Sequence, residues 1–368
     1  MDKFVAIPSA PPENIGLIPR SILPENLESP IMALNTWITP NHLFYVRQHL
    51  NSPVLNSDSW SLTIDGEVNT PLQLSYNDLL AMPHKIVYVT LECSGNKRSF
   101  YQPKTPGEQW EIGAIGNAKW SGIPLKDLLD KASLKDTAME IFFQGSDTGP
   151  RPDMPGQFHF ERSLPIDKAL AEETLVILNM NDEPLPQKHG FPARLLVPAW
   201  YGMASVKWLN RITAINTPFK GPFQVVDYVY LPKQNDYQHA TPVTEIKVNS
   251  MITQPSPGLQ IPKGIYIISG MAWAGKNTII QVEVSTDGGG NWTLAKLNSP
   301  EHTPFTWTLW NYNWTITSPG KYTLMAKATD CEGRVQPINS EWNAKGYANN
   351  SIHRVNVEVP PPPPVISI

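Results

Sequence analysis

Proline occupies 37 of the 368 positions. Much of it falls between short apolar runs rather than inside long helical patterns, and a proline inside a helix removes a hydrogen bond and clashes with the preceding turn. The chain is therefore restricted to short elements joined by many loops. In the first two thirds, β-type runs at 61–65, 85–90, 141–143 and 174–178 alternate with brief helical patterns at 75–81 and 124–131. That alternation predicts an α+β domain. After about Pro242 the pattern becomes strand and turn only. Residues 279–284 alternate apolar and polar side chains, Asp287-Gly-Gly-Gly makes a tight connection, and 292–296 returns. Further strands are expected at 264–269, 305–310, 320–328 and 353–359, which together suggest an all-β sandwich of immunoglobulin-like type.

The length exceeds what one core usually fills, so two domains are expected. The boundaries read as an N-terminal extension 1–40, a first domain 41–242, a sandwich 243–359 and a proline-rich tail 360–368. The tail cannot join a sheet and should be an exposed polyproline segment. With 33 acidic against 29 basic residues the net charge is −4, which gives no global attraction to nucleic acid or an anionic membrane. Residues 1–20 hold prolines and polar groups where a secretory leader needs an apolar core, and no segment reaches membrane-spanning length. The expectation is a soluble chain, cytoplasmic as written, or extracytoplasmic if a leader has been removed.

Two cysteines, Cys93 and Cys331, fall in different domains and in no CxxC arrangement, so neither a disulfide framework nor a zinc site is indicated. Cys93 follows the run 85–90 and opens the turn Ser94-Gly95-Asn96, beside Lys97 and Arg98. Neighbouring cations depress a thiol's pKa and favour the thiolate, which ligates metals or attacks electrophiles. A buried, inert cysteine is the alternative. Arg47 and Arg194 each lie near a histidine, His49 and His189, among aromatics and few charges. Such an arginine pairs with a carboxylate or holds an oxyanion, and each histidine alone could be structural. The chain has no HExxH, GxGxxG, Walker, GxSxG or CxxCH motif, which removes the commonest hydrolase, nucleotide and cytochrome readings.

Taken together, these segments resemble the sulfite oxidase family of molybdenum enzymes, from about Asn41 to Val359. Phe-Tyr-Val-Arg-Gln-His (44–49) looks like an aromatic-x-Arg-Asn-His segment, with Gln48 in place of Asn. Leu-Glu-Cys-Ser-Gly-Asn-Lys-Arg (91–98) looks like the family's cysteine motif, and Trp-Glu-Ile-Gly-Ala (110–114) like its Trp-Asp-Ile-Gly-Ala signature, with Glu111 for Asp. Gly145-Ser-Asp147, Asn-Asp-Glu-Pro-Leu-Pro (181–186), His-Gly-Phe-Pro-Ala-Arg (189–194) and Ser-Val-Lys-Trp (205–208) follow in the expected order.

The resemblance implies a molybdenum cofactor of the molybdopterin type, with Cys93 as the protein's one ligand to the metal. It assigns cofactor contacts to Tyr45, Val46, Arg47, Gln48, His49, Asp147, His189, Arg194, Ser205, Val206 and Lys207. It assigns an anion pocket to Arg47, Arg98, Trp110 and Tyr228, and Lys345 stands where an arginine is often found. The implied activity is oxidation of sulfite to sulfate, with electrons passing to an external acceptor, a cytochrome or oxygen, and the implied assembly is a homodimer through the sandwich domain. Nitrate reduction, sulfoxide reduction and a metal-free two-domain binding protein are the alternatives.

Overall fold

The computed structural model describes residues 15–298 and 304–361. Among them the three α-helices are short: Tyr76–Leu80, Leu125–Lys131 and Ile166–Ala169. Ser75 starts the first with a reciprocal cap, its hydroxyl accepting from the Asp78 N–H at 3.1 Å while the Asp78 carboxylate accepts from the Ser75 N–H at 2.8 Å. Leu125, Leu128 and Leu129 bury one face of the second, the spacing of an amphipathic helix.

Two five-stranded sheets enclose the first core. One runs Glu183–Pro184, Leu175–Met180, Ile115–Pro124, Lys85–Glu92, with Arg194–Leu196 also on Leu175–Met180. The other runs Leu72–Ser75, Ser61–Gly66, Leu209–Ile215, Glu140–Arg151, Met154–Pro165. Ser61–Gly66 and Leu209–Ile215 pair in parallel, which requires the intervening chain to cross back over the core. Leu62, Leu128, Phe143, Leu178, Leu195 and Ile212 fill the space between and are fully buried. At Gly122 the ladder shifts register, and any Cβ there would overlap the Val176 carbonyl oxygen. Glycine is required by that close approach.

The second domain is a sandwich of two four-stranded sheets, in the orders Asn249–Gln254, Gly264–Trp273, Thr308–Ile316, Lys296–Leu297 and Thr293–Leu294, Ile279–Ser285, Gly320–Asp330, His353–Val359. Ile268, Val282, Trp310, Leu324 and Val355 form its core. The single strand expected at 292–296 is split between the sheets. Thr293–Leu294 pairs with one and Lys296–Leu297 with the other, and the chain crosses at Ala295. The strand expected at 305–310 runs instead over Thr308–Ile316. Phe305 adopts a φ of +72° and its carbonyl accepts the Thr90 N–H at 2.8 Å, so it ties the domains together rather than joining a sheet.

The expected polyproline tail lies outside the described residues from position 362 onward, as does the start of the expected extension, 1–14. The rest of that extension is packed into the first domain. Ile18–Ile22 and Glu25–Glu28 form a hairpin, and Leu27 and Val46 exchange both backbone hydrogen bonds at 2.9 Å. No helix among the described residues is long and apolar enough to cross a membrane.

Candidate active site

Cys93 sits where the strand Lys85–Glu92 ends. Its N–H donates to the Ala114 carbonyl at 2.9 Å and its own carbonyl accepts the Asn96 N–H at 2.8 Å, so the turn is closed on both sides. The thiol is free and 7% exposed. It stands between two cavities that enclose about 690 Å³ and 600 Å³ of space with their open mouths included, and both are lined by Cys93, Arg47, His49 and Tyr228.

The larger cavity is lined by Tyr45, Gln48, Ser94, Asp147, His189, Arg194, Ser205 and Lys207. Several of their buried polar atoms have no protein partner: Gln48 Nε2, Ser94 Oγ, Asp147 Oδ1 and Arg194 Nε. Orphaned polar groups are rare in folded proteins, and a concentration of them on one cavity wall signals a polar ligand. The cations are held from behind by carbonyl oxygens. Arg194 donates to His189 O and Ser205 O at 3.0 and 3.2 Å, and Lys207 Nζ donates to Lys188 O at 2.9 Å. Burial, then Arg194, pushes the Lys207 amine down to about 7, opposed by Asp147. Burial raises the Asp147 carboxyl to about 6 and lowers His189 to about 3, with Lys207 and Arg194 adding to the latter. An anion in their midst would favour the charged forms of Lys207 and His189.

The smaller cavity is lined by Arg98, Gly107, Glu108, Asp227, Lys345 and Tyr347 in addition to the four shared residues. Arg98 donates to Glu108 O at 3.0 Å and Lys345 O at 3.2 Å, and its guanidinium carbon lies 4.9 Å from the Tyr347 ring centroid. A Cβ on Gly95 or Gly107 would come within 2.7 or 2.9 Å of that guanidinium, so both glycines are needed to let it lie flat. Tyr228 Oη is 2.6 Å from His49 Nε2. Burial, Arg47 and three further arginines keep His49 neutral, and burial holds the Tyr228 phenol protonated.

The thiol's environment differs from the expectation. Burial raises the Cys93 pKa, and the cations opposing it are Arg47 and Arg98. Lys97 does not face the thiol. It adopts a φ of +63° and sends its ammonium into the second domain, to Asn249 Oδ1 at 2.6 Å, Ser351 O at 3.1 Å and Ser250 O at 3.3 Å. Glu92, on the other side of Cys93, is tied the same way by Trp273 Nε1 at 2.8 Å.

Of the residues singled out from sequence, Cys93, Tyr45, Arg47, Gln48, His49, Asp147, His189, Arg194, Ser205, Lys207, Tyr228, Arg98 and Lys345 line one cavity or both. Val46, Val206 and Trp110 line neither. Val46 spends both backbone groups on Leu27, Val206 belongs to the first core, and Trp110 packs edge-on against Tyr45 at 6.5 Å. Glu108, Asp227 and Tyr347 were not singled out. All three lie within two positions of residues that were, but adjacency alone says nothing of which way a side chain points.

The family models described as "Oxidoreductase molybdopterin binding domain" and "Mo-co oxidoreductase dimerisation domain" match residues 49–223 and 240–360. Sulfite oxidase of Gallus gallus is 34% identical over 94% of this chain and 78% of its own length. Sulfite oxidase of Arabidopsis thaliana is 32% identical over 94% of each. The mitochondrial sulfite oxidase of Rattus norvegicus is 35% identical, and this chain spans 65% of that protein. Among solved structures, the sulfane dehydrogenase SoxCD of Paracoccus pantotrophus superposes with a TM-score of 0.82 at 28% identity, covering 96% of this chain and 92% of that one.

Proposed function

The chain belongs to the sulfite oxidase family of molybdopterin oxidoreductases, and from that premise we propose that it oxidises sulfite to sulfate, with electrons leaving to an acceptor outside the chain. The observation that carries this reading is the position of Cys93, on the wall between a cavity with orphaned buried polar groups and a cavity lined by three cations. The residues of the larger cavity fit the molybdenum cofactor. Cys93 supplies a soft ligand suited to a sulfur-coordinated metal, and Lys207 and Arg194 supply donors for a phosphate-bearing group. When bound, that cofactor supplies the two-electron oxygen transfer: sulfite and water become sulfate, two protons and two electrons.

The chain's own residues do the rest. Arg47, Arg98 and Lys345 draw the oxyanion into the smaller cavity and offset its charge, which a site partly withdrawn from water does more effectively than an exposed one. Tyr347, Gly95 and Gly107 keep Arg98 in place, so little is left to reorganise when substrate arrives. Tyr228 and neutral His49 form a hydrogen-bonded pair at the junction of the cavities, where a proton from water can be handed on. We assign the catalytic part to 41–242, with the hairpin before it, and subunit pairing to 243–359. The external acceptor is a cytochrome or oxygen.

Sulfane oxidation is a second reading, favoured by the superposition with SoxCD. Protein from a host that makes the cofactor should carry about one molybdenum per chain and reduce ferricyanide on addition of sulfite, and Cys93→Ser should lose both. A fully loaded protein inert to sulfite but active on a sulfane donor would move the assignment to the second reading.

A further inference from the structure

Arg47 and Arg151 both act on His49 and are treated in opposite ways. Arg151 is neutralised by two carboxylates, Asp227 at 2.6 Å and Asp153 at 2.7 Å. Arg47 has no carboxylate within ion-pair distance among the described residues. Its Nη1 donates to Asn26 Oδ1 at 3.0 Å and to the Gln48 carbonyl, and its Nη2 lies 3.1 Å from His49 Nε2. Every fixed partner of this guanidinium is neutral.

Asn26 is the unexpected member. It lies on the N-terminal hairpin, is fully buried, and has its side-chain amide saturated. Its oxygen accepts from Arg47 and from the Gln48 N–H at 2.9 Å, while its nitrogen donates to Ser21 Oγ at 2.8 Å and Pro24 O at 3.1 Å. Ser21 Oγ in turn lies 3.2 Å from Glu108 Oε1, on the segment whose carbonyl holds Arg98. One short hairpin thus connects the supports of both arginines. A long arginine side chain facing a cavity must be oriented before it can meet an anion in a fixed geometry, and a carboxylate used for that purpose would cancel the charge it orients.

We propose that Asn26 is a positioning residue of the anion cavity: its neutral carbonyl oxygen fixes the Arg47 guanidinium while leaving that guanidinium's charge available to the substrate. The proposal rests on the reading that this cavity receives a small oxyanion.

Inorganic sulfate, titrated calorimetrically into the molybdenum-loaded full chain, is the probe, with sulfite kinetics in parallel. Asn26→Asp keeps the shape and both acceptor contacts, gives up the donation to the Pro24 carbonyl, and adds a negative charge beside Arg47. The sulfate Kd and the sulfite KM should rise about tenfold or more, the span of a charge-assisted hydrogen bond, with molybdenum per chain unchanged and kcat within about twofold. Asn26→Ala, which removes the support and adds no charge, should raise KM less and lower kcat more. Leu23→Ala, at the exposed hairpin tip, should change neither quantity. Sulfate binding as tight in Asn26→Asp as in the parent overturns the proposal, as does a parent that binds no sulfate. Should Asn26→Asp not fold, a sulfate Kd unchanged in Asn26→Ala overturns it. A parent that binds sulfate but does not turn over sulfite refutes the sulfite assignment and leaves the titration to decide on Asn26.

Discussion

Lys97→Met tests whether the turn that carries Cys93 is anchored by the second domain. The ammonium donates to three buried acceptors, at 2.6, 3.1 and 3.3 Å. Hydrogen bonds to a charged group contribute about 1.5–3 kcal/mol each, but burying the ion opposes them by several kcal/mol. The acceptors are not abandoned when the amine goes, because Gln336 Nε2 also reaches Asn249 Oδ1 at 3.0 Å, Ser351 O at 3.2 Å and Ser250 O at 3.4 Å. Methionine fills a similar volume and keeps the backbone as it is. The net loss should therefore be about 2–3 kcal/mol, below the full cost of breaking a buried ion pair. Guanidinium titration followed by tryptophan fluorescence would read it. The double variant with Asn249→Ala should show a coupling of about 1 kcal/mol or more. The molybdenum content should fall as well, since the turn holding Cys93 loses its tether on one side. Unfolding within about 0.5 kcal/mol of the parent, with full molybdenum loading, would refute the anchoring argument.

Acid should destabilise the fold through His353, which burial holds at about 3. Because the folded pKa lies below the unfolded one, the unfolded chain takes the proton first as pH falls. The contribution is complete above the usual value of 6.5 and is lost towards pH 3, at about 1.4 kcal/mol per unit. His353→Asn can still accept the Ile252 N–H and should flatten the pH dependence of unfolding between about 6 and 4 by one proton; an identical slope would contradict this. Gly346→Ala places a Cβ on Thr105 Oγ1 and 3.0 Å from Arg98 Cγ at a φ of +65°. It should raise the sulfite KM by about tenfold or more while leaving molybdenum content intact, and an unchanged KM would show that Arg98 tolerates the shift. Lys345→Arg supplies a two-pronged donor and should lower the sulfite KM several-fold, about 1 kcal/mol of binding; a higher KM would mean the lysine is fitted to its place.

Much of the scaffold was legible because local rules decided it. The run 85–90, which the strand extends to Glu92, the helix after Ser75 and the alternation of 279–284 all lie where their patterns put them. The misjudged elements were settled by distant contacts. Phe305 looks like the start of a strand, yet the partner of its carbonyl is Thr90. Lys97 reads as a cation beside Cys93, but a left-handed backbone and acceptors 152 to 254 positions onward turn it away. Asn26 is invisible for a similar reason: an asparagine near a hairpin turn reads as turn chemistry, and the guanidinium it serves is fixed only by tertiary folding. The orphaned donors of the larger cavity could not be read from sequence at all, because being without a partner is a property of the finished packing.

The two cavities that meet at Cys93 are also completed at different moments of the chain's synthesis. The larger is lined by nothing beyond Tyr228, whereas the smaller needs Lys345 and Tyr347. A growing chain that has passed position 228 holds every residue that lines the larger cavity while the second domain is still unmade. Its anion cavity lacks one wall, and Arg98 lacks both the carbonyl and the ring that flatten it. Ribosome-bound chains halted between 228 and 345 would accordingly contain the residues for binding the cofactor and not those for binding the oxyanion. The split position of the wall thus orders the two linings along the chain, while the turn that carries Cys93 gains its Lys97 tether only when Asn249, Ser250 and Ser351 are in place.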